Sequence, residues 1–158
     1  MPQEAKSGRV EAIHVAASAG EAMRSVGRVR LIGGVGVEGD RYALGRGHFS
    51  DKPGTGRALT LIEAEVLESL RDGFGIAMQA GEARRNLTTR GILLNELVGR
   101  RFRVGTVLCE GRRLCEPCTY LEGLTNKKLL EPLVNRGGLR ADVLEDGEIH
   151  VGDEVRTV

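Results

Sequence analysis

Glycine limits the fold of this chain more than any other residue type. The 158-residue sequence contains 23 glycines, which are spread between short apolar runs along its whole length. Glycine weakens helices and marks turns and β-bulges, so this distribution favours many short strands over long helices. A domain of this size buries enough apolar surface to need no disulfides. We therefore predict a mainly β fold with a few helices (α+β), in which a single domain over residues 1–158 forms a closed or partly closed β-barrel.

Runs in which polar and apolar residues alternate, and runs of apolar residues, predict the individual helices and strands. Thr60 and Glu63 have the spacing of a helix capping box, and apolar residues recur at helical spacing up to Gly73, so we expect the clearest helix there. The Asp146-Gly147 pair predicts a hairpin turn between two C-terminal strands. The other predicted helices are 92–98, 119–124 and 126–135, and the predicted strands are 9–17, 29–32, 83–89, 101–110, 139–144, 149–151 and 154–158.

Two stretches rich in turn-forming residues lack helical periodicity. Residues 33–39 contain four glycines after a predicted strand, as a dinucleotide-binding fingerprint does, but no helix-forming stretch follows them. We therefore reject a Rossmann fold. Residues 46–57 contain turn-forming residues throughout, which predicts a mobile loop that acts as a lid over a nearby site.

Charge and aromatic content argue against a nucleic-acid partner. The formal net charge is +1, from 23 basic and 22 acidic side chains, whereas nucleic-acid-binding domains usually have a basic excess. Two Tyr, three Phe and no Trp provide few surfaces for base stacking. No apolar run of membrane-spanning length and no signal peptide occur, so we expect no membrane contact. Three cysteines, an odd number, indicate a reducing compartment and a cytoplasmic location.

Cys115 and Cys118, on either side of Pro117, are the leading candidates for catalysis. They follow a predicted strand that ends near Arg112 and Arg113, and they precede a predicted helical turn. A thiol reacts as its thiolate, and nearby cations or helix amides lower its pKa. We therefore predict chemistry at this pair, with small buried hydrophobic residues as the alternative.

Three kinds of chemistry fit a Cys-x-x-Cys pair. A structural zinc site needs two more ligands, but His14, His48, His150 and Cys109 are isolated. We expect His14 at the surface or hydrogen-bonded, and Cys109 buried as packing. Thiol-disulfide exchange needs a cysteine that opens a long helix in a βαβ unit, which this glycine-rich sequence lacks. A soft thiolate that holds a transition metal or a sulfur atom is the third kind, and spacing alone does not choose among the three.

Six stretches, in order along almost the whole chain, match a known family. They are GVGVEGDRY (34–42), LTLIE (59–63), ARRNL (83–87), LVGRRFRVG (97–105), LCEPC (114–118) and RGGLRADV (136–143). Together they resemble the MOSC family, the domains similar to the C-terminal part of molybdenum-cofactor sulfurases, in its short, stand-alone bacterial form.

The resemblance implies a MOSC-type β-barrel and a molybdenum cofactor (molybdopterin). It implies that Cys118 binds the molybdenum, or a sulfur atom on its way to a metal. The cofactor's phosphate needs cations and backbone amides, and the matching stretches contain Arg41, Arg84, Arg85 and Asn86. As neighbours in a predicted strand, Arg84 and Arg85 are expected on opposite faces, so at most one of them faces a given pocket.

The resemblance also implies an activity, the reduction of N-hydroxylated small molecules with electrons from a separate redox protein. The alternative is a non-catalytic carrier that holds cofactor on Cys118, or sulfur received from a sulfur-donor protein. A thiol-disulfide oxidoreductase is the third interpretation. In two-domain relatives the preceding domain supplies part of the cofactor's surroundings, which implies here either a second subunit in a homo-oligomer or weak binding in a carrier.

The two paired cysteines are predicted to differ in acidity. Cys118 follows Pro117 and precedes the helical turn, whereas Cys115 ends a strand, so Cys118 should be the more acidic thiol and be alkylated first at neutral pH. Rates of iodoacetamide modification against pH, followed residue by residue by mass spectrometry, test this. Faster modification of Cys115 at neutral pH would contradict it.

Overall fold

The computed structural model describes residues 7–48, 50, 56–116 and 119–158. Eleven strands and two α-helices occur in these residues, together with two 3-10 turns, Ala80–Ala83 and Leu94–Leu97. In chain order the elements are β1 (Ser7–Val15), β2 (Arg24–Val26), β3 (Arg28–Ile32), β4 (Gly36–Val37), β5 (Leu59–Glu63), α1 (Ala64–Phe74), β6 (Leu87–Arg90), β7 (Arg101–Val104), β8 (Val107–Leu114), α2 (Thr119–Thr125), β9 (Leu139–Val143), β10 (Gly147–His150) and β11 (Glu154–Thr157).

Seven strands form a closed barrel in the order β1-β11-β7-β8-β9-β5-β6, and β6 pairs with β1 again. Every neighbouring pair is antiparallel except β5 and β6. β2 extends one edge of β1, and β10, β3 and β4 form a small second sheet. Closure leaves no unpaired edge in the ring. The mainly β, barrel-forming fold predicted from the sequence is confirmed.

The barrel wall separates two apolar cores. The inner core fills the barrel, where Leu61 on β5 and Leu139 on β9 lie opposite each other in the register. The outer core packs Ile62 of β5 against helix α1 and against Leu129 and Leu133. This strand is therefore buried on both faces. Leu121, another residue of the outer core, lines the candidate site. No helix in the described part of the chain is long and apolar enough to cross a lipid bilayer.

The predicted capping box at Thr60 and Glu63 is wrong, because both residues belong to β5. A strand buried on both faces loses the alternation of polar and apolar residues, so its sequence resembles the start of an apolar helix. Helix α1 begins at Ala64 without a side-chain cap, and it ends at Gly75, whose φ of 66° is left-handed. Gly73 lies inside the helix.

Other predicted elements also differ from the structure. The predicted strand 101–110 is a hairpin of β7 and β8, and the predicted helix 92–98 is a 3-10 turn over Leu94–Leu97. Residues 126–135 form successive turns instead of a helix, because Asn126 and Asn135 adopt left-handed φ values of 55° and 59°. Asp146 and Gly147 do not join a hairpin, because β10 pairs with β3 and not with β9. The Asp146 carboxylate instead accepts a hydrogen bond from the Gly33 amide at 2.7 Å.

The two glycine-rich stretches are described to different extents. Residues 33–39 lead into β4, and among the described residues up to 48 no helix follows them. Of the predicted lid, residue 49 and residues 51–55 lie outside the described residues, as do Pro117 and Cys118. The lid therefore stays a prediction.

The amide of Asn86 connects three strands at the start of β6. Its Oδ1 accepts hydrogen bonds from the amide of Thr60 at 3.1 Å and from its hydroxyl at 3.3 Å. Its Nδ2 donates to the carbonyl of His14 at 3.2 Å. All of these groups are buried, so the side chain satisfies backbone groups of β5 and β1 that water does not reach.

We expect Asn86→Ala to cost about 3 kcal/mol of unfolding free energy, because it leaves the Thr60 amide and the His14 carbonyl buried without these partners. The matched control is Asn95→Ala, which removes one exposed hydrogen bond to the Asn135 carbonyl. That change should cost less than about 1 kcal/mol. Urea unfolding followed by circular dichroism measures both, and equal losses would contradict the bridging role of Asn86.

Candidate functional site

A pocket rich in arginine lies on the outer wall of the barrel, next to the Cys115 end of β8. We call it the cationic pocket, because four arginines and one carboxylate are among its described lining residues, which are Arg41, Tyr42, Thr60, Arg84, Arg85, Glu116, Tyr120, Leu121 and Arg140. The space between them has a volume of about 40 Å³. A volume this small suits a single oxyanion rather than a ring system.

Three of the four predicted cofactor-binding residues line this pocket, namely Arg41, Arg84 and Arg85. The expectation that at most one of Arg84 and Arg85 faces a given pocket is wrong. Neither residue belongs to a strand, because β6 begins at Leu87, and Arg84 has a left-handed φ of 59° after the 3-10 turn. Asn86 follows directly, and its amide is engaged within the barrel.

Arg41 fixes the pocket wall. Its Nη1 pairs with Asp40 Oδ1 at 3.1 Å, and its Nη2 donates to the carbonyl of Arg84 at 3.0 Å. Asp40 Oδ1 also accepts a hydrogen bond from the Ala16 amide at 3.1 Å. Both members of this ion pair are buried. The contacts therefore tie residues 40–42 to the end of β1 and to the left-handed residue 84.

Arg84 has an unused donor. Its Nη1 donates to the carbonyl of Glu21 at 2.6 Å, but its buried Nη2 has no hydrogen-bond partner among the described residues. Burial, and then the charge of Arg41, lower the pKa of this guanidinium. Only 8% of the residue is exposed. Arg84 also lines a second cavity of about 350 Å³, beside Gly20 and Met23. A buried cationic donor without a partner is costly, and an anion bound next to it would offset that cost.

Arg85 and Cys115 donate hydrogen bonds to the carbonyls of two adjacent glycines. Arg85 Nε donates to the carbonyl of Gly137 at 3.0 Å, and the amide of Cys115 donates to the carbonyl of Gly138 at 2.7 Å. A Cβ atom on Gly137 would collide with the carbonyl oxygen of Cys115. Glycine is therefore required at position 137 for the chain to pass so close to the cysteine stretch.

The three cysteines have different surroundings. Cys109 is fully buried, as predicted, and burial raises the pKa of its thiol to about 12, with Glu145 adding to the shift. Cys115 is also fully buried and is a free thiol. Cys118 lies outside the described residues. The helical turn predicted after it is confirmed as α2. Glu116, between the two cysteines, and Tyr120, in α2, line the cationic pocket.

Several lining residues were not predicted. Tyr42 and Arg140 lie in the stretches that resemble the MOSC family, but nothing in a single sequence indicates that they meet. Tyr120 stacks on His48, with ring centroids 3.7 Å apart and an angle of 8° between the planes. This contact joins residues 46–48 to α2, and only the tertiary fold brings the two rings together.

His14 differs from its expected place at the surface. It is buried, its Nδ1 has no hydrogen-bond partner among the described residues, and burial lowers its pKa. The 3-10 turn covers it, since a Cβ atom on Gly81 would lie 3.2 Å from the imidazole Cδ2. In the described part of the chain no three His, Cys, Asp or Glu side chains are grouped as a metal site.

Inorganic phosphate should stabilise the protein through Arg84. At ten times its dissociation constant, phosphate should raise the thermal midpoint by about 4 °C, because it binds the folded state. The rise should shrink in Arg84→Gln and persist in the control Arg71→Gln, whose arginine is exposed and pairs with Asp72. Thermal scans at matched ionic strength with chloride measure this, and an unchanged rise in Arg84→Gln would contradict it.

Comparisons with known proteins agree with this architecture. YuaD from Bacillus subtilis has a similar crystal structure, with a TM-score of 0.79 at 13% identity over 98% of this chain and 97% of that one. YiiM from Geobacillus stearothermophilus has a TM-score of 0.71 at 18% identity, over 96% and 75%. YiiM from Escherichia coli has a TM-score of 0.68 at 22% identity, over 95% and 69%.

At sequence identities this low, the similarity to these crystal structures establishes only the fold. The comparison with curated proteins found no match. The family model for the MOSC domain matches residues 44–156, well over half of the chain. The protein therefore belongs to the MOSC domain family, which is associated with binding of the molybdenum cofactor.

Proposed function

We propose that the protein binds the molybdenum cofactor at the cationic pocket, with Cys118 as the metal's protein ligand, and reduces N-hydroxylated small molecules. The observation that carries this proposal is Arg84 Nη2, a buried cationic donor without a partner among the described residues. The pterin cofactor has a phosphate group, and such a donor suits a phosphate oxygen. The small volume between the arginines suits this group rather than the rings.

The residues present fit the cofactor's anionic end. Arg84 supplies the free donor, while Arg41 and Arg85 use their donors on backbone carbonyls and on Asp40, and so hold the wall in place. Arg140 adds a further positive charge to the lining. Fixed donors that need no rearrangement bind an anion more tightly than mobile ones.

The chain connectivity supports Cys118 as the ligand. Cys118 is two residues from Tyr120 and two residues from Glu116, and both of these line the pocket. A thiolate is a soft ligand of the kind that transition metals favour. Cys115, whose amide donates to the carbonyl of Gly138, is fully buried.

The overall reaction needs two electrons and two protons. Conversion of a hydroxylamine to an amine breaks the N–O bond and releases water, and a separate redox protein supplies the electrons. The cofactor, when bound, supplies the redox centre. Among the described lining residues Glu116 is the only carboxylic acid, and it and the hydroxyls of Tyr42 and Tyr120 are groups able to pass protons to the substrate.

Replacing each cysteine in turn distinguishes a loss of metal binding from a loss of folding. Cys118→Ser should abolish molybdenum binding and reductase activity toward an amidoxime, because a hard hydroxyl is a poor ligand for the metal. Cys115→Ser should reduce activity less. Cys109→Ser should keep activity and cost about 1–3 kcal/mol of stability, because it buries a hydroxyl in the core. Molybdenum content by mass spectrometry, activity and thermal unfolding are measured for all three proteins, purified from a host that makes the cofactor.

Each alternative function predicts a different result for these three cysteine variants. Full activity in Cys118→Ser would contradict the proposal. Equal losses in the Cys115 and Cys118 variants would favour dithiol chemistry. Molybdenum bound in the wild-type protein without reduction of any N-hydroxylated compound would favour a carrier.

A further inference from the structure

A larger cavity shares Arg84 with the cationic pocket. Residues 20–23, residues 79–84 and the end of α2 contribute to its lining, and we call this space the second cavity. Its volume is about 350 Å³, whereas that of the cationic pocket is about 40 Å³. Sites for small molecules usually have volumes of roughly 300–1,000 Å³. The second cavity is therefore large enough for a ring-sized ligand, and the cationic pocket is not.

The second cavity and the cationic pocket have a common wall. Helix α2 contributes lining residues to both spaces. The sulfur atom of Met23, which lines the cavity, accepts a hydrogen bond from Nη1 of Arg41, which lines the pocket, at 3.4 Å. Arg84 Nη1 donates to the carbonyl of Glu21, and Nη2 of the same guanidinium is the buried donor without a partner among the described residues. One unused donor is therefore shared by two spaces.

The lining of the second cavity combines apolar surface with charged groups. Ala22, Met23 and Leu124 supply the apolar surface, although Leu124 is 41% exposed to solvent. Glu82 adds a carboxylate, whose Oε2 accepts a hydrogen bond from Lys127 Nζ at 2.8 Å. This hydrogen bond lowers the pKa of Glu82, so the carboxylate stays ionised at neutral pH. A ligand with one negative charge therefore suits the cavity better than a dianion, which the nearby carboxylate repels more strongly.

We propose that the second cavity binds a small carboxylate with an apolar body, and that this ligand and an anion in the cationic pocket exclude each other. Arg84 is the only cation among the described residues that line the cavity. Its Nη2 donates to the carboxylate, while Met23 and Leu124 contact the apolar body. The exclusion rests on the proposed cofactor site, because the same donor is assigned there to a phosphate oxygen, whereas binding in the second cavity does not. Such a ligand lowers the affinity of the protein for its cofactor.

Isothermal titration of the cofactor-free protein with benzoate, benzamide and acetate tests the second cavity. Benzoate should bind about tenfold more tightly than benzamide, which lacks the charge, and than acetate, which lacks the ring. Arg84→Gln should remove the preference for benzoate over benzamide. Leu124→Asp should weaken benzoate binding about tenfold, because it adds a negative charge and removes apolar contact. The matched control is Leu130→Asp, since Leu130 is 39% exposed and is not among the residues that line the cavity.

Inorganic phosphate tests the exclusion. With phosphate at ten times its dissociation constant, the apparent Kd of benzoate should rise about tenfold, because the two anions compete for Arg84. Leu124→Asp should leave the affinity for phosphate unchanged, since Leu124 does not line the cationic pocket. An unchanged Kd of benzoate in phosphate would overturn the exclusion.

The remaining outcomes separate the second cavity from the proposed function. Equal affinities for benzoate and benzamide, or equal effects of Leu124→Asp and Leu130→Asp, would overturn the second cavity as a binding site. Benzoate binding that is lost in Arg84→Gln and kept in Leu124→Asp would do the same, because the carboxylate would then occupy the cationic pocket. Benzoate binding without any phosphate binding would reject the exclusion and the cofactor site and keep the second cavity. Loss of molybdenum binding or of reductase activity alone would reject the proposed function and leave these titrations unchanged.

Discussion

The side chain of Asn86 holds the barrel and the candidate site in one fixed arrangement. It bonds both Thr60 on β5 and the His14 carbonyl on β1, at the start of the strand that lies between them. Arg84 and Arg85 precede it directly, so their backbone leaves the wall at a point that the barrel itself determines. Arg84 and Arg85 of the cationic pocket are therefore positioned by the same hydrogen bonds that join these strands of the barrel.

Charge concentration is the physical reason for assigning a function to this face of the protein. The formal net charge of +1 does not reveal this local concentration of charge, because acidic and basic residues nearly cancel over the whole chain. On the outer wall, the cationic pocket brings Arg41, Arg84, Arg85 and Arg140 into one region. Such clustering lowers the stability of the empty protein, and an anionic ligand offsets the loss.

The sequence predicted the barrel because most strands keep one polar face. β1, β9 and β11 all fall within or close to the predicted ranges, and the family resemblance indicated three of the pocket arginines. The single strand predicted over residues 101–110 is instead two antiparallel strands, β7 and β8, because the chain reverses between Val104 and Val107. Prediction failed where tertiary contacts override local pattern. β5 is buried on both faces and therefore resembled a helix start, and the left-handed conformation of Arg84 has no signal in a sequence, since arginine seldom adopts it. The contact of Tyr120 with His48 and the place of Arg140 depend on strand order, which no single stretch encodes.

The central claim is that an anionic cofactor occupies the cationic pocket and that its metal is bound to the cysteine stretch. A crystal structure of the protein purified with its cofactor tests this most directly. The account predicts a phosphate oxygen within hydrogen-bonding distance of Arg84 Nη2 and a bond between molybdenum and Cys118 Sγ. A cofactor bound elsewhere, with Arg84 Nη2 left unpaired, or a molybdenum atom bound to Cys115, would contradict the account.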